Sequence, residues 1–85
     1  MTKVVIYTKL GCPYCEMAKK LLAEKQLSFE EIRIDLDDNK REEMIQRSQR
    51  RTVPQIFIND QPIGGYDDLA ALVKSGKLNQ FINSI

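Results

Sequence analysis

The sequence predicts an α/β fold: a four-stranded mixed β-sheet flanked by helices on both faces, in the order β-α-β-α-β-β-α with a short terminal helix. Three observations carry that expectation. A β-branched run, an amphipathic run and a second β-rich run follow one another within about 35 residues, which makes a strand–helix–strand unit with parallel strands. Two further short runs meet at Asn59-Asp60, a tight-turn pair. At 85 residues the chain is long enough for one small domain, spanning 1–85, and too short for two.

Each element has a local reason. Residues 3–8, Lys-Val-Val-Ile-Tyr-Thr, are short, β-branched and aromatic, as a buried strand should be. From Pro13 the period changes: Cys15, Ala18, Leu21 and Leu22 fall on one face of a helix of about 13 residues with proline in its first turn. Residues 28–35 form the second strand, with Ile32 and Ile34 sharing a face. Residues 38–49 are mostly polar and make a less buried helix that opens near Asp37 or Asp38, with Met44 and Ile45 as its apolar contacts. Pro54 starts a strand through Ile58, Gln61 to Ile63 form the next, and Gly64-Gly65 breaks the ladder. Leu69, Leu72 and Val73 define a third helix with Asp67 and Asp68 in its first turn and Gly76 just past its end. Leu78, Phe81, Ile82 and Ile85 repeat at +3, +4 and +7, giving the last helix.

Composition removes whole classes of function. Hydrophobic residues at 42% and charged residues at 29% describe an ordinary globular chain, neither disordered nor fibrous. The longest apolar run, Val4 to Tyr7, falls far short of the roughly 20 residues of a membrane span. Lys9 and Gly11 interrupt any secretory h-region after it. Thirteen basic and twelve acidic side chains leave a net charge of +1, which argues against a nucleic-acid binder. With no histidine, the chain cannot build a Cys–His or Ser–His–Asp hydrolase or an imidazole metal site.

Two cysteines remain, at 12 and 15. As a staple they are poor, since closing a loop of about four residues removes only roughly 2 kcal/mol of unfolded-state entropy. A reducing, cytoplasmic setting with thiols kept for chemistry is the better expectation. Cys12-Pro13-Tyr14-Cys15 lies between the end of a strand and the start of a helix. There, unpaired N–H groups and a partial positive charge favour a thiolate at Cys12, and cysteines in such positions reach pKa values of roughly 3.5–7.5. Cys15, one turn inside, can attack a disulfide formed at Cys12. Lys9 adds a nearby positive charge. A zinc site would want four ligands, and the chain offers no other Cys and no His. An inert thiol pair is the remaining bland alternative, and a CxxC opening a helix within βαβ favours redox chemistry over it.

Cys-Pro-Tyr-Cys at 12–15, Thr-Val-Pro at 52–54 and Gly-Gly-Tyr-Asp-Asp at 64–68 together resemble a glutaredoxin of the short dithiol type, with a thioredoxin-like fold, over essentially the whole chain. The resemblance implies Cys12 as nucleophile and Cys15 as resolving thiol. It implies a cis Pro54, so that the backbone N–H and C=O of Val53 face the site and pair with glutathione as an added strand. Tyr66, Asp67 and the start of the third helix, with Asp68 among the binding residues, would hold the γ-glutamyl end, backbone N–H groups there suiting its carboxylate and the Asp67 carboxylate its ammonium. Lys9 and Arg41 would meet the glycyl carboxylate, Thr52 would flank Val53, and Tyr14 would cover the sulfur. Arg47 to Arg51 reads as a solvated helix end, with a protein-docking role as the alternative.

The implied activity is glutathione-dependent reduction of glutathionylated mixed disulfides and protein disulfides by a monomer. Glutathione is a co-substrate, no cofactor is tightly bound and no metal is required. Disulfide-bearing proteins are the partners, ribonucleotide reductase being one candidate. Thioredoxins usually carry Trp-Cys-Gly-Pro-Cys, whereas Gly11 precedes Cys12 here and tryptophan is absent. Monothiol relatives that assemble iron–sulfur clusters carry Cys-Gly-Phe-Ser, from which Pro13 and Cys15 depart. A glutathione-ligated cluster bridging two chains through Cys12 is the chief non-enzymatic alternative.

Overall fold

The computed structural model describes residues 2–82, so the Ile85 position of the last helical repeat lies outside the described residues. The elements are β1 (Val4–Thr8), α1 (Pro13–Glu24), β2 (Glu30–Arg33), α2 (Asp38–Ser48), β3 (Gln55–Ile58), β4 (Gln61–Gly64), α3 (Tyr66–Ser75) and α4 (Leu78–Ile82). The sheet order is β2-β1-β3-β4. β1 and β2 are parallel, with Tyr7 opposite Ile32, while β1/β3 and β3/β4 are antiparallel. This is the expected mixed sheet in the expected order.

Alternation along the two central strands divides the core. Val4, Ile6, Ile56 and Ile58 face Ala18 and Leu22 of α1, Leu69 of α3 and Leu78 of α4. Val5, Tyr7 and Phe57 face the other way, onto Met44 of α2 and Ile34. Helices therefore cover both faces, and β1 and β3, buried throughout, read as near-continuous apolar runs for that reason.

Local differences from the sequence reading have physical causes. β2 is shorter than 28–35: Phe29 packs against the α1 side of the core, and Ile34 continues the ladder only by donating its N–H to the Thr8 carbonyl at 2.9 Å. Gly64 does not break the ladder. It pairs with Ile56 beside a register shift and at φ 115°, a conformation other residues rarely adopt, and the ladder ends after it. Pro54 precedes β3 rather than starting it, and the Val53–Pro54 peptide is cis. Asn59 and Asp60 both take positive φ, the two-residue hairpin geometry their side chains tolerate.

The basic stretch Arg47 to Arg51, which begins in the last turn of α2, is not simply solvated. Arg47 lays its guanidinium 4.2 Å from the Phe57 ring centroid and donates to the Tyr7 hydroxyl at 2.8 Å. That hydroxyl donates in turn to Glu43 at 2.5 Å. Burial, followed by the Glu43 bond, raises the Tyr7 pKa, so the hydroxyl stays a donor at neutral pH.

Candidate functional site

β1 delivers the chain to the top of the sheet at Thr8, and Gly11 turns it into α1 at φ 74°. Cys12 is the N-cap of α1, and its Sγ accepts the Cys15 backbone N–H at 3.2 Å. Pro13 sits where a missing N–H costs nothing. Cys15 is fully buried and Cys12 keeps 8% of its surface. The two sulfurs are joined as a disulfide, with Cα atoms 5.2 Å apart. The less buried of the two cysteines is thus the one whose sulfur the helix start polarises.

Three segments converge on it. Cys12 Sγ lies 3.9 Å from the carbonyl oxygen of Val53. From there a cleft of about 270 Å³ runs between Thr52, Val53, Pro54 and Gln55 on one side and Gly65, Tyr66, Asp67 and Asp68 on the other, with Tyr14 and Arg50 also lining it. Tyr14, 57% exposed, stands 6.2 Å from Tyr66, ring centroid to ring centroid. A second cleft, also of about 270 Å³, shares Thr52 and Val53 and is lined by Lys9, Ile34, Arg41 and Arg51. The fold therefore brings every sequence-predicted site residue to two clefts flanking Val53, beside Cys12 and Cys15.

The two acidic neighbours differ. Asp68 reaches back to the Gly65 N–H at 3.0 Å and pairs with Arg50 at 3.1 Å, so it is partly committed to closing the start of α3. Asp67 is exposed and, among the described residues, makes no ion pair. Lys9, Arg41 and Arg51 are exposed as well and form a cationic rim suited to a carboxylate.

Arg50, Arg51 and Gln55 also line the clefts, although none of them stands in the three sequence motifs. Gln55 is 2% exposed and donates through Nε2 to the Thr52 carbonyl at 2.9 Å, bracing the loop that presents Val53. A polar residue heading the buried run Gln-Ile-Phe-Ile was the available signal, since a buried amide must find an internal partner. For Arg51 it was adjacency to Thr-Val-Pro.

Charged networks brace the same end of the sheet. Thr8 donates to Glu31 at 2.8 Å, and Lys19 of α1 bridges Glu31 at 3.0 Å and Glu16 at 2.8 Å. The Thr8 bond, then that of Lys19, holds the Glu31 carboxyl below its usual range; Glu16 and then Glu31 raise Lys19. A two-pronged Arg33 contact at 2.6–2.7 Å brings Asp35 to a pKa of about 2, the Asp35 and Leu10 backbone N–H groups adding to it. Among the described residues no group of three or more Cys, Asp or Glu side chains could hold a metal ion, and no helix is long and apolar enough to cross a membrane.

Comparison with known proteins agrees with this geometry. A family model described as glutaredoxin matches residues 4–63. The chain is 57% identical over 82 residues to glutaredoxin 3 of Escherichia coli (strain K12), covering 96% of this chain and 99% of the relative. The solution structure of glutaredoxin from Brucella melitensis superposes with a TM-score of 0.86 at 49% identity, over 99% of this chain and 91% of the other. A buckwheat glutaredoxin–glutathione complex gives a TM-score of 0.86 at 30% identity, over 95% and 76% of the two chains.

Proposed function

Because the chain belongs to the glutaredoxin family of glutathione-dependent thiol–disulfide oxidoreductases, we propose that its chemistry runs through Cys12, with Cys15 as resolving thiol and the cleft along Val53 as the glutathione seat. The observation that carries this reading is Cys12 Sγ capping α1 beside the Val53 carbonyl, with Cys15 fully buried beneath it.

The Cys12 thiolate attacks the glutathionyl sulfur of a mixed disulfide. A Cys12–glutathione disulfide forms, and the substrate leaves as a thiolate that takes up a proton. A second glutathione, as thiolate, attacks the glutathionyl sulfur, so that oxidised glutathione departs and the Cys12 thiolate returns. With a protein disulfide, Cys12 forms the mixed disulfide with the protein, and Cys15 attacks Cys12 Sγ to release the reduced protein. The Cys12–Cys15 disulfide that results is reduced by two glutathione molecules. Each step exchanges one thiolate for another with the number of disulfides unchanged, and over the cycle two glutathione thiols are oxidised for each disulfide reduced.

The binding roles follow the two clefts. Val53 offers its backbone N–H and C=O to the cysteinyl residue of glutathione, between Thr52 and Pro54. Lys9 and Arg41, with Arg51 beside them, take the glycyl carboxylate. Asp67 takes the γ-glutamyl ammonium with Tyr66 beside it, at the α3 start that Asp68 closes, and Tyr14 covers the sulfur. We place the protein in the cytoplasm as a monomer acting on glutathionylated and disulfide-bearing proteins, ribonucleotide reductase being a candidate.

A coupled assay tests the reading. Turnover of a glutathionylated peptide should be supported by glutathione with glutathione reductase and NADPH. Thioredoxin reductase with NADPH should support little. Turnover driven equally well by thioredoxin reductase alone would overturn it.

A further inference from the structure

α1 carries two apolar stripes. Cys15, Ala18 and Leu22 are buried in the core, as the apolar face of an amphipathic helix should be. Beside them Tyr14, Met17 and Leu21 recur at +3 and +7, on the flank of α1 that meets Tyr66 at the start of α3. The core takes little of this second stripe: Leu21 packs against its edge, whereas Met17 keeps 44% of its surface and Tyr14 57%. Four large apolar side chains stay exposed among the described residues, Leu10, Tyr14, Met17 and Leu36, and two of them stand on this one stripe. An amphipathic helix needs a single apolar stripe to hold it to its sheet, so a second one left open beside a reactive sulfur calls for a partner.

The stripe is one wall of a groove. Met17, Lys20, Leu21 and Glu24 of α1 and Tyr66 of α3 enclose about 260 Å³. Lys20 and Glu24, of opposite charge and one turn apart, leave the groove without the cationic rim that Lys9, Arg41 and Arg51 give to the cleft beyond Val53, so it suits an apolar side chain better than a carboxylate. Tyr66 lines both this groove and the cleft assigned to glutathione, which makes the two continuous.

A mixed disulfide brings two halves to Cys12. Glutathione takes the cleft along Val53, and the polypeptide on the other sulfur must leave the site by another route. Met17 and Leu21 follow Cys12 by five and nine positions, about 7.5 and 13.5 Å along a helix axis. An extended chain covers about 3.3 Å per residue, so the groove lies about two to four residues away from a substrate cysteine. Methionine suits such a contact, because an unbranched thioether adapts to side chains of different shape, as a surface that meets many proteins must.

We propose that this groove seats the protein half of the mixed disulfide: an apolar side chain about two to four residues from the substrate cysteine enters between Met17, Leu21 and Tyr66. The inference rests on the glutathione reading above and adds the site that selects among protein substrates.

The test uses end-blocked, glutathionylated peptides of the form X-Ser-Ser-Cys-Ser-Ser-X, with X as Leu, Ala or Asp, so that either chain direction presents X to the groove. Each rate is taken relative to the mixed disulfide of glutathione with 2-mercaptoethanol, which has no flanking chain. The wild-type chain should favour the Leu peptide over the Ala peptide by about 3- to 10-fold in kcat/KM, the range expected when one leucine is partly buried, and should not favour the Asp peptide. Met17→Gln should shrink the Leu preference to within about twofold, and Met17→Leu should keep it. Both changes fall at an exposed helical position that the fold tolerates. A wild-type chain indifferent to X, or a Met17→Gln chain that keeps the full preference, would overturn the inference and leave the glutathione reading intact. Failure of all the glutathione mixed disulfides to turn over would overturn both. A dimer seen by sedimentation and dispersed by Met17→Gln would give the groove to a second copy of the chain, and would overturn the inference as well.

Discussion

Two helix starts meet at the cleft, Tyr14 of one 6.2 Å from Tyr66 of the other, and they use the same backbone feature differently. α1 begins at Cys12, whose own sulfur accepts an N–H of the first turn. α3 begins at Gly65, which has no side chain to cap with, and Asp68 reaches back from inside the helix instead. In the first case the cap is the reactive atom, so the partial positive charge of the helix acts on chemistry. In the second the cap is a carboxylate committed to structure, and its neighbour Asp67 is left facing the cleft. A helix N-terminus is a source of donors; what fills the cap decides whether it tunes a nucleophile or frames a binding site.

The sharpest break of this comparison is at the α1 start. Cys12→Ser should abolish activity on every disulfide, because Cys15 is fully buried and cannot replace it. Cys15→Ser should keep deglutathionylation and lose much of the reduction of protein disulfides. Assays on a glutathionylated peptide and on a protein disulfide separate the two. Equal inactivity of both variants on the peptide would rule out the monothiol route.

At the α3 start the effect should be smaller and selective. Asp67→Ala should lower kcat/KM for glutathionylated substrates by between several-fold and about a hundredfold, and should leave Cys12 alkylation by an uncharged reagent nearly unchanged. Melting the variant alongside the kinetics isolates the helix contribution, which at an exposed first turn is about 0.3–1 kcal/mol.

Returning to α1, the alkylation rate of reduced Cys12 against pH should turn over well below the free value of about 8.5, since the Cys15 N–H stabilises the thiolate. Lys9→Gln should move that inflection upward only modestly, because Lys9 is exposed and salt screens it.

The smallest effect concerns what holds α1 to the sheet. Thr8 and Lys19 depress the Glu31 pKa, so their contribution to stability is complete above the unfolded carboxylate value and is lost as pH falls through the lower folded value. Glu31→Gln should therefore flatten the acid limb of a melting-temperature profile below about pH 4.5, by less than about 1 kcal/mol for a pair this exposed. The α3 start, which lacks this brace, should keep its glutathione selectivity in the same variant.

The elements that hold the site were legible where one period dominated. Val4 to Thr8 declare a strand buried on both faces, and the Ala18–Leu22 stripe a helix buried on one. Boundaries were less legible. Phe29 and Pro54 read as strand residues, yet one turns into the core and the other stands outside the ladder, because packing and hydrogen-bond partners decide where pairing stops. Arg47 and Arg50 read as solvated, since a cation's partners, here Phe57, Tyr7 and Asp68, lie 10 to 40 positions away along the chain and only the fold brings them near.

By itself the sequence determined the β-α-β-α-β-β-α order, both sulfur positions and the three motif segments, because periodicity, turn residues and a helix-opening CxxC act over a few neighbouring residues. Tertiary structure alone decided that Val53 stands beside Cys12, that Asp68 is committed while Asp67 is left facing the cleft, and that Arg50 and Gln55 belong to the cleft wall. Those relations depend on the antiparallel pairing of β1 with β3, which joins segments about fifty residues apart, and non-local pairing is fixed by burial of both sheet faces together rather than by any local preference.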